Sequence, residues 1–227
     1  MKTTIRILLG LAICFLTYLC IMSVVTPIRF EEQRTIREEA VVKKLINLRT
    51  AETEFKAQKG YYTANLDSLI LFLKTAKKKE VIKEGALTEA QLEAGMTEAK
   101  AVKIIQRGKE KEIKANGLEG FRRDTIYNDM ITSLYKGEYT PENIDEITRI
   151  PYTDGVRFET EVNNGYTTEK GIKVPLIEVR AHFNTYLADQ DAQELVNLID
   201  KEEKLEHYPG VKFGSVEVPN NNAGNWE

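Results

Sequence analysis

Cysteine is almost absent from this chain. Cys14 and Cys20 lie close to the N-terminus, and the rest of the 227 residues contain none. That excludes a disulfide framework and a thiolate metal site, and it leaves the redox compartment open. Histidine is nearly as scarce. His182 and His207 are 25 residues apart, one expected on the polar face of a strand and the other near a helix end beside Glu203 and Glu206. A surface histidine and a helix C-terminal cation account for both. There is no glycine-rich phosphate loop, no dinucleotide fingerprint and no nucleophile set beside a base. The formal net charge is only −3, so nucleic acid and strongly charged substrates are not expected partners. Asp189-Gln190-Asp191 lacks the glycine and distal glutamate of a calcium loop, and Asp191 reads more simply as a helix N-cap. Catalytic, cofactor-binding and metal-ligating residues are therefore expected to be none, and no enzyme is expected.

What is present begins with a long apolar run. Ile7 to Val25 is 19 residues without a charge. At about 1.5 Å rise per residue it is about 28 Å long, against about 30 Å for the hydrocarbon core of a bilayer. The run ends Ser23-Val24-Val25-Thr26-Pro27, with no small-x-small cleavage site, so an uncleaved span in contact with the lipid bilayer is expected. Leu11-Ala12-Ile13-Cys14 is no lipoprotein signal, because Ile13 stands where a small residue belongs. Lys2 and Arg6 flank one side, Arg29, Arg34 and Arg37 the other. The short N-terminal tail is the side expected to stay cytoplasmic, with the large domain outside.

After Pro27 the composition turns charged, and apolar residues recur at Val41, Leu45, Leu48, Ala51 and Phe55. Those spacings of 4, 3, 3 and 4 make one face of a helix. Glu52 and Lys56 are placed for an i,i+4 pair. About two heptads are available, so the face is expected to pack on its own domain, with a coiled coil between copies as the other possibility. Pro27 is a candidate kink between span and stem. Gly60 can end the helix, Tyr61 and Tyr62 can cover a corner with their hydroxyls in water, and Asn65 can cap a second helix. Leu66, Leu69, Ile70 and Leu73 would then pack back on the first.

The stretch from Arg49 to Leu69 resembles the type IV pilins and type II secretion pseudopilins. Phe55, Gly60, Tyr62, Leu66 and Leu69 match that family's aromatic, glycine, aromatic and Leu-x-x-Leu positions. The resemblance covers residues 7–73. It implies a first helix that is half membrane span and half support for a small antiparallel sheet. It also implies a non-enzymatic, membrane-anchored component of a bacterial cell-envelope assembly, secretion- or pilus-related, that works by contact with other envelope proteins. The place implied is the bacterial inner membrane, single-pass, with the C-terminal domain outside the cytoplasm. Met1-Lys2-Thr3-Thr4-Ile5-Arg6 lacks the family's leader glycine, the span lacks its glutamate, and Thr63 replaces its proline. An unprocessed anchor is expected, with a monomeric soluble part. The residues leave another class open: a bitopic receptor or accessory subunit whose external domain binds a ligand or a partner enzyme.

Residues 75–150 are expected to form a charged, mostly helical insert. Thr88 to Gln91 fits a capping box, Asp124 can cap a helix carrying Ile126, Met130 and Leu134, and Thr140-Pro141-Glu142 is a further start signal. The solvated run Lys77-Lys78-Lys79 belongs to it. In residues 151–227 the pattern is β-β-α-β. Val156–Val162 alternates, with Val156, Phe158 and Val162 on one face. Val174–Phe183 points Ile177, Val179, Ala181 and Phe183 inward. A helix then carries Leu195, Leu198, Ile199 and Leu205, and Val211–Val218 would need a bulge at Gly214-Ser215 to keep one face buried. Trp226 suggests that the polar tail docks. The fold class expected is α+β: an N-terminal transmembrane helix (1–29), a stem and fold-back helix (30–74), the insert (75–150) and a small, mainly antiparallel sheet region (151–227) of the same external domain.

Overall fold

The computed structural model of the chain describes the backbone of residues 2–227 and the side chains of all but residues 2–3, 81–83 and 123–125. Two helices come first, α1 (Lys2–Lys59) and α2 (Leu66–Thr75). A second stretch holds β1 (Lys77–Glu84), α3 (Glu89–Glu93), α4 (Glu98–Gln106), α5 (Glu110–Ala115), β2 (Arg122–Asp129) and α6 (Met130–Tyr135). The rest comprises β3 (Glu159–Asn163), β4 (Leu176–His182), α7 (Phe183–Tyr186), α8 (Ala192–Lys204) and β5 (Gly210–Gly214). The chain is thus α+β, with a long N-terminal apolar helix and small antiparallel sheets.

The chain forms two compact units, Met1–Phe72 with Pro141–Glu227, and Leu73–Thr140. In the first, α1 runs through Pro27 without a break. Its apolar N-terminal part is long enough to cross a membrane, and among the described residues it is exposed. Further along, Val41, Leu45, Leu48 and Ala51 are wholly buried and Phe55 nearly so. The stem face therefore belongs to its own domain's core, as expected. Sheet order is β3-β4-β5, antiparallel throughout. Ile177, Val179, Ala181, Val211 and Phe213 supply its inward face, all buried. On the other face Glu178 is also buried, held by Arg180 at 3.1 Å and Lys212 at 3.0 Å.

Three strand boundaries differ from the alternation pattern. Val156 is exposed, because residues 156–158 pair with the chain at 148–150: Ile150 N–H donates to the Val156 carbonyl and Phe158 N–H to that of Thr148. Phe183 is buried as expected, but it starts α7 rather than ending β4. β5 stops at Gly214 without a bulge, and Val218 is exposed. Gly214 has φ +76°, and a Cβ there would meet the Ile177 carbonyl oxygen at 2.0 Å, so only glycine lets the chain leave the sheet here. The tail then returns along β5. Gly214 N–H donates to the Ala223 carbonyl at 2.9 Å and Asn225 N–H to that of Lys212 at 3.0 Å. Docking of the tail is as expected.

The unit Leu73–Thr140 is not mostly helical. β1 pairs antiparallel with β2 over eight positions, from Lys77↔Asp129 to Glu84↔Arg122. Residues 122–129 are a strand where the sequence suggested a helix capped by Asp124, whose side chain lies outside the described residues. Only Met130–Tyr135 is helical there. Neither strand alternates apolar and polar residues, so the ladder rests on cross-strand partners that no local pattern reveals. Thr88 and Gln91 do form the reciprocal capping box. Ala101, Leu118 and Phe121 make a small core. The unit ends at Thr140, earlier than the expected boundary at 150, because a 3₁₀ turn at Ile144–Thr148 packs on α1 instead.

The fold-back corner gives the first testable outcome. Leu69 is wholly buried and Phe55 is 5% exposed, with its ring edge-on to Tyr61 at 5.6 Å and to Phe72 at 5.0 Å. Truncating either to alanine should cost about 2–4 kcal/mol. Denaturant titration of the detergent-solubilised protein checks this, and losses under about 0.5 kcal/mol for both would show that the corner is not packed.

Candidate functional site

The stem of α1 carries two charged residues on its buried face, and the domain treats them in opposite ways. Arg37 stands four residues before Val41, in line with the apolar stripe, and is 8% exposed. Its Nη2 donates to Asp189 Oδ2 at 2.8 Å, while Nη1 donates to Asp189 Oδ1 and to the Tyr186 carbonyl at 2.8 Å. The Tyr152 ring lies 4.9 Å from the guanidinium carbon. The guanidinium holds the Asp189 carboxyl well below the usual carboxylate range. This fork joins the stem to the segment between α7 and α8.

Glu52 is the opposite case. It lies four residues after Leu48 and three before Phe55, so it points inward and is wholly buried. Oε2 accepts a long bond from Thr63 N–H at 3.4 Å, and Oε1 has no partner. The expected pair with Lys56 does not form, because the lysine ammonium lies 4.8 Å above the Tyr62 ring. Burial without a cation pushes the Glu52 carboxyl up to about 8.

Around Glu52 the chain reverses. Gly60 takes φ +84°. Asn65 caps α2, its Oδ1 accepting from Asp67 and Ser68 N–H at 3.0 Å each. Tyr62 is 3% exposed. Its hydroxyl is not in water as expected: it accepts from Asn222 Nδ2 at 2.8 Å, a partner 160 residues on. Asn164 clamps the Tyr62 backbone from both sides, accepting from its N–H and donating to its carbonyl, each at 3.0 Å. The C-terminal tail grips the stem as well. Arg49 donates to the Asn222 carbonyl at 3.1 Å and to Glu227 at 2.7 Å, with the Trp226 ring 5.8 Å from its guanidinium.

The residues singled out in the sequence fall in separate places. His182 Nδ1 accepts from Asn184 N–H at 3.1 Å and caps α7. His207 Nδ1 lies 3.2 Å from Glu202. Asp191 caps α8, accepting from Gln193 and Glu194 N–H at 3.1 Å each, as expected. Asp189 is committed to Arg37. Among the described residues no group of three or more histidine, cysteine, aspartate or glutamate side chains could hold a metal ion. Arg37, Glu52, Tyr152 and Asn222 were not apparent in the sequence. The one available signal was their position: Arg37 and Glu52 fall on the apolar stripe.

Glu52 makes stability depend on pH with a defined sign. Its folded carboxyl titrates near 8, above the unfolded value near 4.5, so the folded protein keeps a proton that the unfolded chain has lost. Its contribution is fully present below pH 4.5 and is lost as pH rises through 8. Between about pH 5 and pH 8 stability should fall by up to about 1.4 kcal/mol per pH unit. In Glu52→Gln that slope should flatten. Urea titrations at several pH values read it, and equal slopes in the two proteins would mean that Glu52 ionises freely in the fold.

No protein family, curated protein or solved structure matches the chain.

Proposed function

We propose that this protein is a membrane-anchored, non-enzymatic packing subunit of a bacterial cell-envelope assembly, built on the plan of pilins and pseudopilins. The observation that carries this is the division of labour along one helix. The first part of α1 is apolar and exposed, while one face of its second part is buried in the core of an α+β domain. A helix so arranged holds its domain at a fixed attitude to a bilayer, and that is what a subunit packing beside other envelope proteins requires. The fold-back at Gly60 onto Phe55 and the small antiparallel sheet on the stem agree with the same plan. In this reading the span lies in the inner membrane and the domain outside the cytoplasm.

The contact between copies does not run through the stem stripe, since Val41, Leu45 and Leu48 are already buried within the chain. Partners are other envelope proteins and lipid. A second reading, a bitopic accessory subunit, draws on the compact unit Leu73–Thr140, which has a small core of its own.

Two measurements test the proposal. The protein should remain in the membrane fraction at its full mass, and a mature N-terminus near Thr26 would remove the anchor. Residues 30–227 should sediment as a monomer at micromolar concentration, and a stable dimer would restore the coiled-coil account of the stem.

A further inference from the structure

At the membrane end of the stem unit lies a cleft of about 480 Å³. Arg29, Glu32 and Gln33 of α1 face Gln190 and Asp191 across it, over an apolar floor made by Phe30. Arg29, Glu32 and Gln33 are exposed. Arg29 and Glu32 have no hydrogen bond or ion pair among the described residues, with each other or with any neighbour. Asp191 uses one oxygen to cap α8 and still lines the cleft.

Helix geometry gives the depth. The uncharged run Ile7–Val25 is centred on Leu16. At about 1.5 Å per residue, Thr26 lies about 15 Å from that centre, Arg29 about 20 Å and Gln33 about 26 Å. The hydrocarbon of a bilayer ends about 15 Å from the midplane and its headgroups about 20–22 Å. The cleft therefore opens at the level of lipid phosphates and the groups attached to them.

Its charges select among headgroups. Arg29 offers a guanidinium to a phosphate, and Gln33 and Gln190 offer amide donors beside it. Glu32 and Asp191 would repel a headgroup of net negative charge but accept hydrogen bonds from a primary ammonium. A choline headgroup has no N–H to give them. We propose that this cleft binds the headgroup of a zwitterionic aminophospholipid, the phosphate on Arg29 and the ammonium on Glu32 and Asp191. The inference rests on the membrane-anchored reading of α1.

Native mass spectrometry of the full chain in mild detergent tests it, with an equimolar mixture of phosphatidylethanolamine, phosphatidylcholine and phosphatidylglycerol of matched acyl chains. Phosphatidylethanolamine adducts should be enriched roughly fivefold over the other two, the range that exposed charge pairs supply. Glu32→Gln should bring the lipids toward parity, and Arg29→Ala should lower the adducts of all three, since all three carry the phosphate. Parity in the unaltered protein, a preference for phosphatidylglycerol, enrichment that survives Glu32→Gln, or adduct levels unchanged in Arg29→Ala overturns the site. Competition by micromolar soluble glycerophosphoethanolamine would assign the cleft to a free ligand and overturn the lipid assignment. Flotation with phosphatidylcholine vesicles separates the two levels. A chain that floats but shows no headgroup preference loses only the site, and one that does not float loses the anchor and the site with it.

Discussion

Burial of one face of α1 is the constraint on which the rest of this unit depends. Val41, Leu45, Leu48, Ala51 and Phe55 leave water together, each larger side chain contributing roughly 1.5–3 kcal/mol as an upper estimate. The cover comes from a sheet of only three strands, reached through β5, from the 3₁₀ turn at Ile144–Thr148 and, at the corner, from Phe72 on Phe55. None of these has enough apolar surface to fold alone, so stem and sheet are stable only as one body. Because the stem continues into the exposed apolar part without a break, that burial also fixes where the domain stands with respect to that part of the helix.

A face this dry constrains the charges on it. Arg37 is tolerated because Asp189 and the Tyr186 carbonyl take its two terminal nitrogens, leaving only the buried Nε without a partner, and Asp189 keeps most of its side chain in water. Glu52 has no such partner, and it is accommodated by holding a proton. The two solutions sit at opposite ends of the stem: an ion pair toward the apolar part of α1 and a neutral acid at the fold-back corner. The tail ties the second end down. Asn222 on Tyr62 and Glu227 on Arg49 bring the last residues of the chain to the same corner. The same tail covers the free edge of β5, which would otherwise present unpaired backbone groups to another chain.

The unit Leu73–Thr140 is held by different means. Its ladder is charged, its apolar cluster is small, and its helices are short, with side-chain caps from Thr88 on α3 and Thr97 on α4. Helices of five to nine residues have little stability of their own. Caps and the β1–β2 pairing carry more of the load here than in the stem unit.

What the sequence determined by itself was everything with a local or periodic cause. The uncharged run, the stem stripe from Val41 to Phe55, the turn at Gly60, the caps at Thr88, Asn65 and Asp191, and the inward face of β4 can each be read from spacing. Neighbouring side chains on one element impose those patterns. The tertiary structure alone decided the rest. Residues 122–129 became a strand because β1 was there to pair with, and residues 156–158 left the sheet because 148–150 claimed their hydrogen bonds. Lys56 chose the Tyr62 ring over Glu52, and Tyr62 found Asn222 at the far end of the chain. Each of these outcomes depends on a partner outside the element itself, and on whether a polar group that must leave water finds one.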